Sequence, residues 1–243
     1  MEWRATAFVL GARAHGETGA IVDLLTASHG KISAYVAGGA SRKLRPVLQP
    51  GARVEVAYRS RVSDQLGSAT LESDGPGAAA LFDDPLALLG LTAAAALVQA
   101  GLPDREPHSG IYYGFETLLA ALIGLSLWPA VFVRFEAGLL EALGFGLDLS
   151  ICAATGSTDD LVYISPRSGR AVSRSAGAPY RDRLLRLPGF LLSAQSSLDP
   201  GDVGAGLEIT GHFLRMNVFN PVNQPLPPQR QRLIEALSRA GRL

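Results

Sequence analysis

The chain has 243 residues, 47% of them hydrophobic and 18% charged, a composition typical of a globular protein that excludes a disordered one. Its 22 basic and 22 acidic side chains cancel, so the net charge does not indicate a nucleic-acid partner. The charges are unevenly placed, because residues 31–61 carry seven cations against Glu55 alone, while residues 80–147 carry two cations against seven anions. A neutral protein with such a basic region can still bind a polyanion locally.

The first part of the chain has the alternating pattern of β-strands. Residues 31–37 show it most clearly, with Ile32, Ala34 and Val36 on one face and polar residues on the other. We predict five strands, at residues 4–11, 20–27, 31–37, 53–58 and 66–72. Short strands of this number predict a small closed barrel of the OB type, because closure leaves no exposed sheet edge.

A helical pattern follows the turn-prone residues 73–77. Helices are predicted at residues 85–100, 107–127, 129–143, 207–219 and 229–240. Asp83 or Asp84 is the predicted N-cap of the first helix, and Gly101 ends it. Residues 147–180 are rich in Gly, Ser, Thr and Pro, and we interpret them as a loop-rich insert with one short strand at 161–164.

The predicted architecture is therefore α+β. An OB-fold barrel occupies residues 1–76, and an all-α domain is split into residues 77–146 and 181–243 by the insert at 147–180. The uncharged stretches 85–103 and 117–133 favour buried helices over membrane spans, since the first is alanine-rich and Trp128-Pro129 interrupts the second. We expect no membrane association, and a single cysteine, Cys152, fits the reducing bacterial cytoplasm.

A search for catalytic motifs predicts no enzyme. The sequence has no Lys-Ser/Thr phosphate loop, no GxGxxG after a strand and no GxSxG elbow. Its four histidines share no metal-ligand spacing, and acidic pairs such as Asp159-Asp160 are adjacent to turn residues, where capping is the simpler role. We therefore expect no catalytic residue and no cofactor, with an unrecognised nuclease or hydrolase as the alternative.

The basic region points to nucleic acid. Arg42, Lys43 and Arg45 lie between the third and fourth predicted strands, where OB barrels commonly place loops that flank a single-strand site. Tyr35 and Lys31 share the polar face of the third strand, where an aromatic ring could stack on a base and a cation could meet phosphate. An ordinary solvated loop is the alternative for residues 41–45. Tyr58 alternates with valines and is assigned to the core.

A second basic cluster lies in and after the insert. It contains Arg170 and Arg174, together with Arg167, Arg181, Arg183 and Arg186. The planar guanidinium group of arginine can donate two parallel hydrogen bonds to a phosphate. Salt bridges to the acidic helices are an equally good interpretation. We therefore treat Arg170 and Arg174 as candidate DNA-binding residues, with salt bridges as the alternative.

The opening segment contains several short motifs in a fixed order, which are Gly16-Glu17, Ile21-Val22, Leu24, Gly30-Lys31, Val36-Ala37 and Gly39-Ala40. Their order and spacing resemble the opening of the RecO family. Residues 134–145 are similar to the family's central helix and the turn after it, and the insert falls where that family carries a zinc-finger-like element. The resemblance covers almost the whole chain.

One departure concerns zinc. Zinc-binding members of the family have two CxxC pairs in the insert, whereas here Cys152 stands alone, Thr155 occupies the partner position and no cysteine follows near residues 169–175. Tetrahedral zinc needs about four Cys or His ligands. We therefore predict a metal-free remnant of the zinc element, held together by packing.

The resemblance implies a function in DNA repair and recombination. RecO-like proteins bind single- and double-stranded DNA, anneal complementary strands, and act with RecR to load RecA onto DNA coated by single-strand-binding protein. They also bind the acidic, hydrophobic C-terminal tail of that protein through the helical body. The alternative is an OB-containing scaffold that does not bind DNA directly.

For that tail we expect a groove on the third predicted helix. Phe132, Phe135 and Leu139 recur there at helical spacing, and Arg134 is one of only two cations in the acidic stretch. Arg134 at the rim of such a groove would meet the tail carboxylate. An ion pair between Arg134 and a nearby carboxylate is the alternative.

Overall fold

The computed structural model describes residues 1–61, 66–75 and 77–243. These residues form two compact units, Met1–Leu125 and Ser126–Leu243. The sequence predicted a main boundary at Pro76, which lies outside the described residues. The division into two compact units follows Leu125, so it groups the first two helices with the strands.

The first unit contains a closed five-stranded barrel, as the sequence predicted, and its strand order is β1-β2-β3-β5-β4. Its strands are β1 (Glu2–His15), β2 (Gly19–Thr26), β3 (Gly30–Val36), β4 (Arg53–Arg59) and β5 (Gly67–Ser73). Neighbours are antiparallel except β3 and β5, which run parallel and pair at Ala34↔Gly67 and Tyr35↔Ser68. This short parallel junction, called here the β3–β5 seam, completes the barrel.

The barrel core follows from the alternation in the strands. Ile32, Ala34 and Val36 of β3 point inward and are buried, while the intervening residues face outward. Tyr58 is also buried in this core, which confirms its assignment. Closing the sheet on itself buries one face of every strand, and this removal of apolar surface from water stabilises the barrel.

Two helices of the first unit pack on the outside of the barrel. They are α1 (Pro85–Gly101) and α2 (Ser109–Gly124). Asp84 is the N-cap of α1, since its Oδ1 accepts hydrogen bonds from the amides of Leu86 and Ala87 at 3.0 Å. Phe8 points outward from β1, and its ring lies 5.1 Å from that of Tyr112 and 5.5 Å from that of Phe115 on α2.

The second unit is mainly helical, with the predicted insert inside it. Its helices are α3 (Trp128–Ala142), α4 (Arg174–Gly177), α5 (Gly189–Leu192), α6 (Asp202–Phe213) and α7 (Pro228–Arg239), and α6 continues as a π-helix over Leu214–Phe219. The insert and the segment directly after it form a three-stranded sheet of order β7-β6-β8. Its strands are β6 (Leu161–Ile164), which was predicted, and the shorter β7 (Ala171–Ser173) and β8 (Leu185–Arg186).

A buried ion pair joins three helices of the second unit. Arg230 of α7 donates from Nε to Oε1 of Glu136 on α3 at 2.6 Å, and from Nη2 to Oε2 at 2.9 Å. Thr210 of α6 donates to the same carboxylate at 2.5 Å, and the carbonyl of Leu207 accepts from Arg230 at 2.7 Å. The charges are therefore both paired and hydrogen-bonded, which burial requires.

Among the residues that the structure describes, no helix is long and apolar enough to cross a membrane.

Candidate nucleic-acid interface

The basic loop, residues 37–52, connects β3 to β4. It is anchored at both ends, since the Ala40 amide donates to the Thr18 carbonyl at 3.1 Å and Leu48 is buried against the barrel core. Between these anchors the side chains of Arg42, Lys43 and Arg45 are exposed. None of the three forms an ion pair within residues 1–61, 66–75 and 77–243. As far as the described residues show, the loop therefore presents three unneutralised cations on a backbone that is anchored at both ends.

Lys31 does not join this surface, contrary to the expectation from sequence. Its Nζ donates to the carbonyl of Gln99 at 2.6 Å and lies 3.1 Å from the carboxylate of Asp104. The side chain is only 14% exposed. The cause is tertiary, because the end of α1 and the chain after it cover this part of β3, so Lys31 satisfies protein acceptors and is not available to a phosphate.

Tyr35 faces outward as expected, at the other end of β3. Its ring lies over Gly19, where any Cβ would overlap it, and meets His15 edge-on with ring centroids 5.9 Å apart. The ring also lines a cleft on the barrel surface, which we call the seam cleft. It is lined by parts of four strands, with Arg4, Arg59, Ser68 and Thr70 among its residues.

Arg170 and Arg174 in the insert are paired with carboxylates. Nε of Arg170 lies 3.2 Å from Asp148, and Nε of Arg174 lies 3.1 Å from Asp160. Both arginines remain partly exposed, but a neighbouring anion offsets each charge. The two arginines therefore form salt bridges, as the alternative interpretation held, but with aspartates of the insert and not with the acidic helices.

The groove expected on α3 is absent from that helix face in the described structure. Phe132, Phe135 and Leu139 are buried in the core of the second unit, so their helical spacing marks the core-facing side of α3. Arg134 is exposed, but its guanidinium donates to the carbonyl of Phe190, with Nε at 2.9 Å. Neither the apolar stripe nor its arginine offers a free surface to a peptide.

Another cleft in the second unit is open to solvent. It is lined by residues that are distant in sequence, mostly apolar ones such as Leu127, Leu198 and Val203, together with the cation Arg242 and the anion Asp199. Leu127 is more than half exposed, and Arg242 lies over the Trp128 ring at 5.6 Å. Sequence analysis missed this cleft, because no periodic pattern links the start of α3, residues 198–203 and the C-terminal residues.

Cys152 lies in the core of the insert beside hydroxyl groups. The Ser173 amide donates to its Sγ at 3.2 Å, and the two side chains are 3.4 Å apart. Hydrogen bonding by Ser173 and then by Thr155 lowers the pKa of the thiol to about 6, although burial opposes this shift. These residues do not fit zinc, because serine and threonine hydroxyls are poor substitutes for thiolates in a tetrahedral site.

A closed five-stranded barrel with a basic loop, followed by a helical unit, defines an OB-fold protein with a helical second part. The model "Recombination protein O N terminal" matches residues 1–72, and "Recombination protein O C terminal" matches residues 83–225. The chain therefore belongs to the RecO family of DNA repair proteins. This agrees with the resemblance seen in the opening motifs.

Relatives match over the full length. The DNA repair protein RecO of Phenylobacterium zucineum is 68% identical over 243 residues, and that of Caulobacter sp. strain K31 is 63% identical, each covering 100% of both chains. The RecO protein of Rhodospirillum centenum is 48% identical, over 99% of this chain and 96% of its own.

Proposed function

We propose that this DNA repair protein works by binding DNA, both single- and double-stranded, through its barrel, and that it anneals complementary strands. With RecR it loads RecA onto DNA coated by single-strand-binding protein. The observation that carries the DNA-binding part is the basic loop, where Arg42, Lys43 and Arg45 are exposed without a carboxylate partner in the described structure. Membership of the RecO family supports the partners.

The physical basis of binding is neutralisation of phosphate. Each cation that contacts a phosphate releases condensed counterions, so affinity falls with salt and does not depend on base sequence. Phosphates are common to single strands and duplexes, which accounts for binding to both. Neutralising them also reduces repulsion between two strands held on one surface, and this favours annealing.

The open cleft of the second unit is the site we propose for the tail of single-strand-binding protein. Its leucines provide apolar contacts for an acidic, hydrophobic peptide, and Arg242, whose guanidinium also donates to the Ser126 carbonyl, is the cation in its lining. This replaces the groove expected beside Phe132, Phe135 and Leu139, whose side chains are buried.

The protein acts, in this proposal, by binding and not by catalysis, without a cofactor, in the bacterial cytoplasm and at the nucleoid when it is engaged on DNA. Product analysis with labelled DNA and magnesium tests the non-enzymatic part. Cleavage that co-purifies with the protein would overturn it.

The first test is the triple variant Arg42→Ala/Lys43→Ala/Arg45→Ala. Fluorescence anisotropy with a labelled single-stranded oligonucleotide, across a salt series, measures the affinity and its salt dependence. Each lost phosphate contact on a single strand reduces the slope of log K against log salt by about 0.7. We expect a slope reduced by about two for the variant, together with weaker binding at every salt concentration.

Two comparisons make this test specific. Arg170→Ala/Arg174→Ala removes two cations that already have aspartate partners, and we expect a smaller change in slope than the loop variant shows. Unchanged affinity of the loop triple variant would favour the scaffold alternative, in which the barrel binds a protein. Negligible binding by the wild type at low salt would reject direct DNA binding altogether.

A further inference from the structure

The outer surface of the barrel is unequally covered within the first unit. Near Lys31 the end of α1 lies on β3, and around Phe8 the rings of α2 lie on β1. The outer faces of β4, β5 and the first residues of β1 carry exposed side chains, including Glu2, Arg4 and Arg59. The open side of the barrel therefore contains the β3–β5 seam.

Strand register brings the residues of the seam cleft together. Glu2 pairs with Arg59, Arg59 with Ser68, and Ser68 with Tyr35, so these four residues form one row across β1, β4, β5 and β3. In the next row Arg4 pairs with Ala57, and Ala57 with Thr70. Ser68 of the first row and Ala57 and Thr70 of the second have small side chains, which leaves a depression between the Tyr35 ring and the two arginines.

The chemistry of the seam cleft suits one nucleotide. A tyrosine ring offers a π-face on which a base can stack, and arginine contacts the adjoining phosphates. Arg4 is exposed and forms no ion pair with any described residue, so it is free for a phosphate. Ser68 and Thr70 supply hydroxyl groups near the base.

We propose that the seam cleft binds one unpaired base of single-stranded DNA, stacked on Tyr35, with Arg4 and Arg59 holding its flanking phosphates. This deepens the DNA-binding function proposed above and rests on it. The cleft selects single strands, because a base in a duplex is already stacked between its neighbours and cannot reach Tyr35 without being flipped out.

The cleft and the basic loop are adjacent along the chain. Ala37, the first residue of the basic loop, also lines the cleft, directly after the end of β3. We therefore expect a strand whose phosphates contact Arg42, Lys43 and Arg45 to continue into the cleft. The loop provides affinity that is insensitive to the bases, and the cleft adds a contact to the base itself.

Glu2 competes with the DNA for Arg59. Its Oε1 lies 2.7 Å from Nη2 of Arg59, and the pair spans β1 and β4 within the lining of the cleft. The hydrogen bond to Arg59 and the charge of that arginine lower the pKa of Glu2, which favours its ionised form. A phosphate must displace it, and Glu2 therefore weakens single-strand binding.

The test compares an oligo-dT with an abasic oligonucleotide of the same length and phosphate count, on the wild type and Tyr35→Leu. The wild type is expected to bind the abasic strand about five- to a hundred-fold more weakly, the range for a base stacked on an aromatic ring. In Tyr35→Leu we expect this preference to disappear, whereas Tyr35→Phe, which keeps the ring, retains it. Duplex affinity should be the same in all three proteins.

The outcomes separate this proposal from the broader one. If the wild type binds both strands equally, or if Tyr35→Leu keeps the preference, the base site is rejected while DNA binding through the loop stands. If the wild type binds neither strand, the proposed function fails as well. Circular dichroism of each variant establishes that it is folded.

A second variant, Glu2→Gln, tests the competition directly. We expect it to bind oligo-dT a few-fold more tightly than the wild type at low salt. The Glu2→Gln/Arg59→Gln double variant should bind no more tightly than Arg59→Gln alone, because Glu2 then has no arginine to occupy. Thr6→Ala, which removes the hydroxyl that donates to Glu55 at 2.8 Å on the same two strands, is a matched control without an effect on affinity. Unchanged or weaker binding by Glu2→Gln would reject the competition.

Discussion

At the scale of residues, side chains of the same type differ in whether neighbouring groups already occupy them or leave them available to a ligand. Lys31 and Lys43 are both lysines of the basic region, yet the first is held by Gln99 and Asp104 while the second is exposed. Arg170 is neutralised by Asp148, whereas Arg42 has no carboxylate partner in the part of the chain described. Local charge density therefore indicates a basic region, and the partners decide which cations remain available.

Cys152 leads to a prediction of pH dependence. Its thiol has a pKa of about 6 in the folded protein and 9.0 in the absence of the fold. Because the folded pKa is depressed, the thiolate stabilises the fold above pH 9, and this contribution is lost as the pH falls towards 6. We expect the free energy of unfolding, measured by urea titration under reducing conditions, to rise from pH 6 to pH 9 by more in the wild type than in Cys152→Ala.

Ser173→Ala provides the matched variant, since it removes the hydroxyl beside Sγ but keeps the amide that donates at 3.2 Å. For this variant, the increase in the free energy of unfolding from pH 6 to pH 9 should be intermediate between the increases for the wild type and Cys152→Ala. Parallel pH profiles for the wild type and Cys152→Ala would show that the thiol does not ionise in this range.

At the scale of elements, helical periodicity identifies which side of a helix is buried but not whether that side is functional. In α3 the spacing of Phe132, Phe135 and Leu139 correctly indicates a continuous apolar face, and the tertiary structure places that face in the core. Glu136 lies on the same buried side, which no apolar pattern could reveal. Its partner Arg230 is 94 residues away in sequence.

Removing one partner of the Glu136–Arg230 pair should destabilise the fold strongly, whereas replacing both with apolar residues should change the free energy of unfolding much less. Glu136→Gln leaves the Arg230 charge buried without its counterion, and we expect a loss of about 3–5 kcal/mol in the free energy of unfolding. Glu136→Leu/Arg230→Met, which removes both charges at similar volume, should recover most of that loss. Chemical denaturation followed by circular dichroism measures both.

Glu235→Gln is the control for this pair, because it removes an exposed carboxylate whose partner in α7 is Gln231 at 3.0 Å. We expect it to change the unfolding free energy by less than about 0.5 kcal/mol. A double variant as unstable as Glu136→Gln alone would show that packing, and not the unpaired charge, causes the loss.

At the scale of the whole molecule, net charge is a poor guide to function. The formal charge is zero, yet the first unit presents a basic loop with three exposed cations that have no ion-pair partner among the described residues. The triple variant Arg215→Ala/Arg232→Ala/Arg239→Ala changes the net charge as much as the loop variant does, but its residues are exposed on helical segments of the second unit. In the oligonucleotide titration we expect it to keep the salt slope of the wild type. An equal loss of slope in both variants would mean that total charge, and not its position in the loop, governs binding.

The strands, the main helices and the family were predictable from the sequence alone. Alternation in β3, capping by Asp84 and the apolar periodicity of α3 are local properties, since they depend on residues close together in the chain. The family motifs likewise depend on order and spacing. Even the poor fit of the insert to zinc follows from counting cysteines.

Only the tertiary structure decided where a binding surface can lie. The coverage of Lys31 by the end of α1, the burial of the α3 stripe and the row from Glu2 to Tyr35 all depend on residues that are distant in sequence and adjacent in space. A sequence pattern determines which face a side chain occupies on its own element. Which faces remain exposed to solvent is set by packing between elements, because one element can cover the polar face of another.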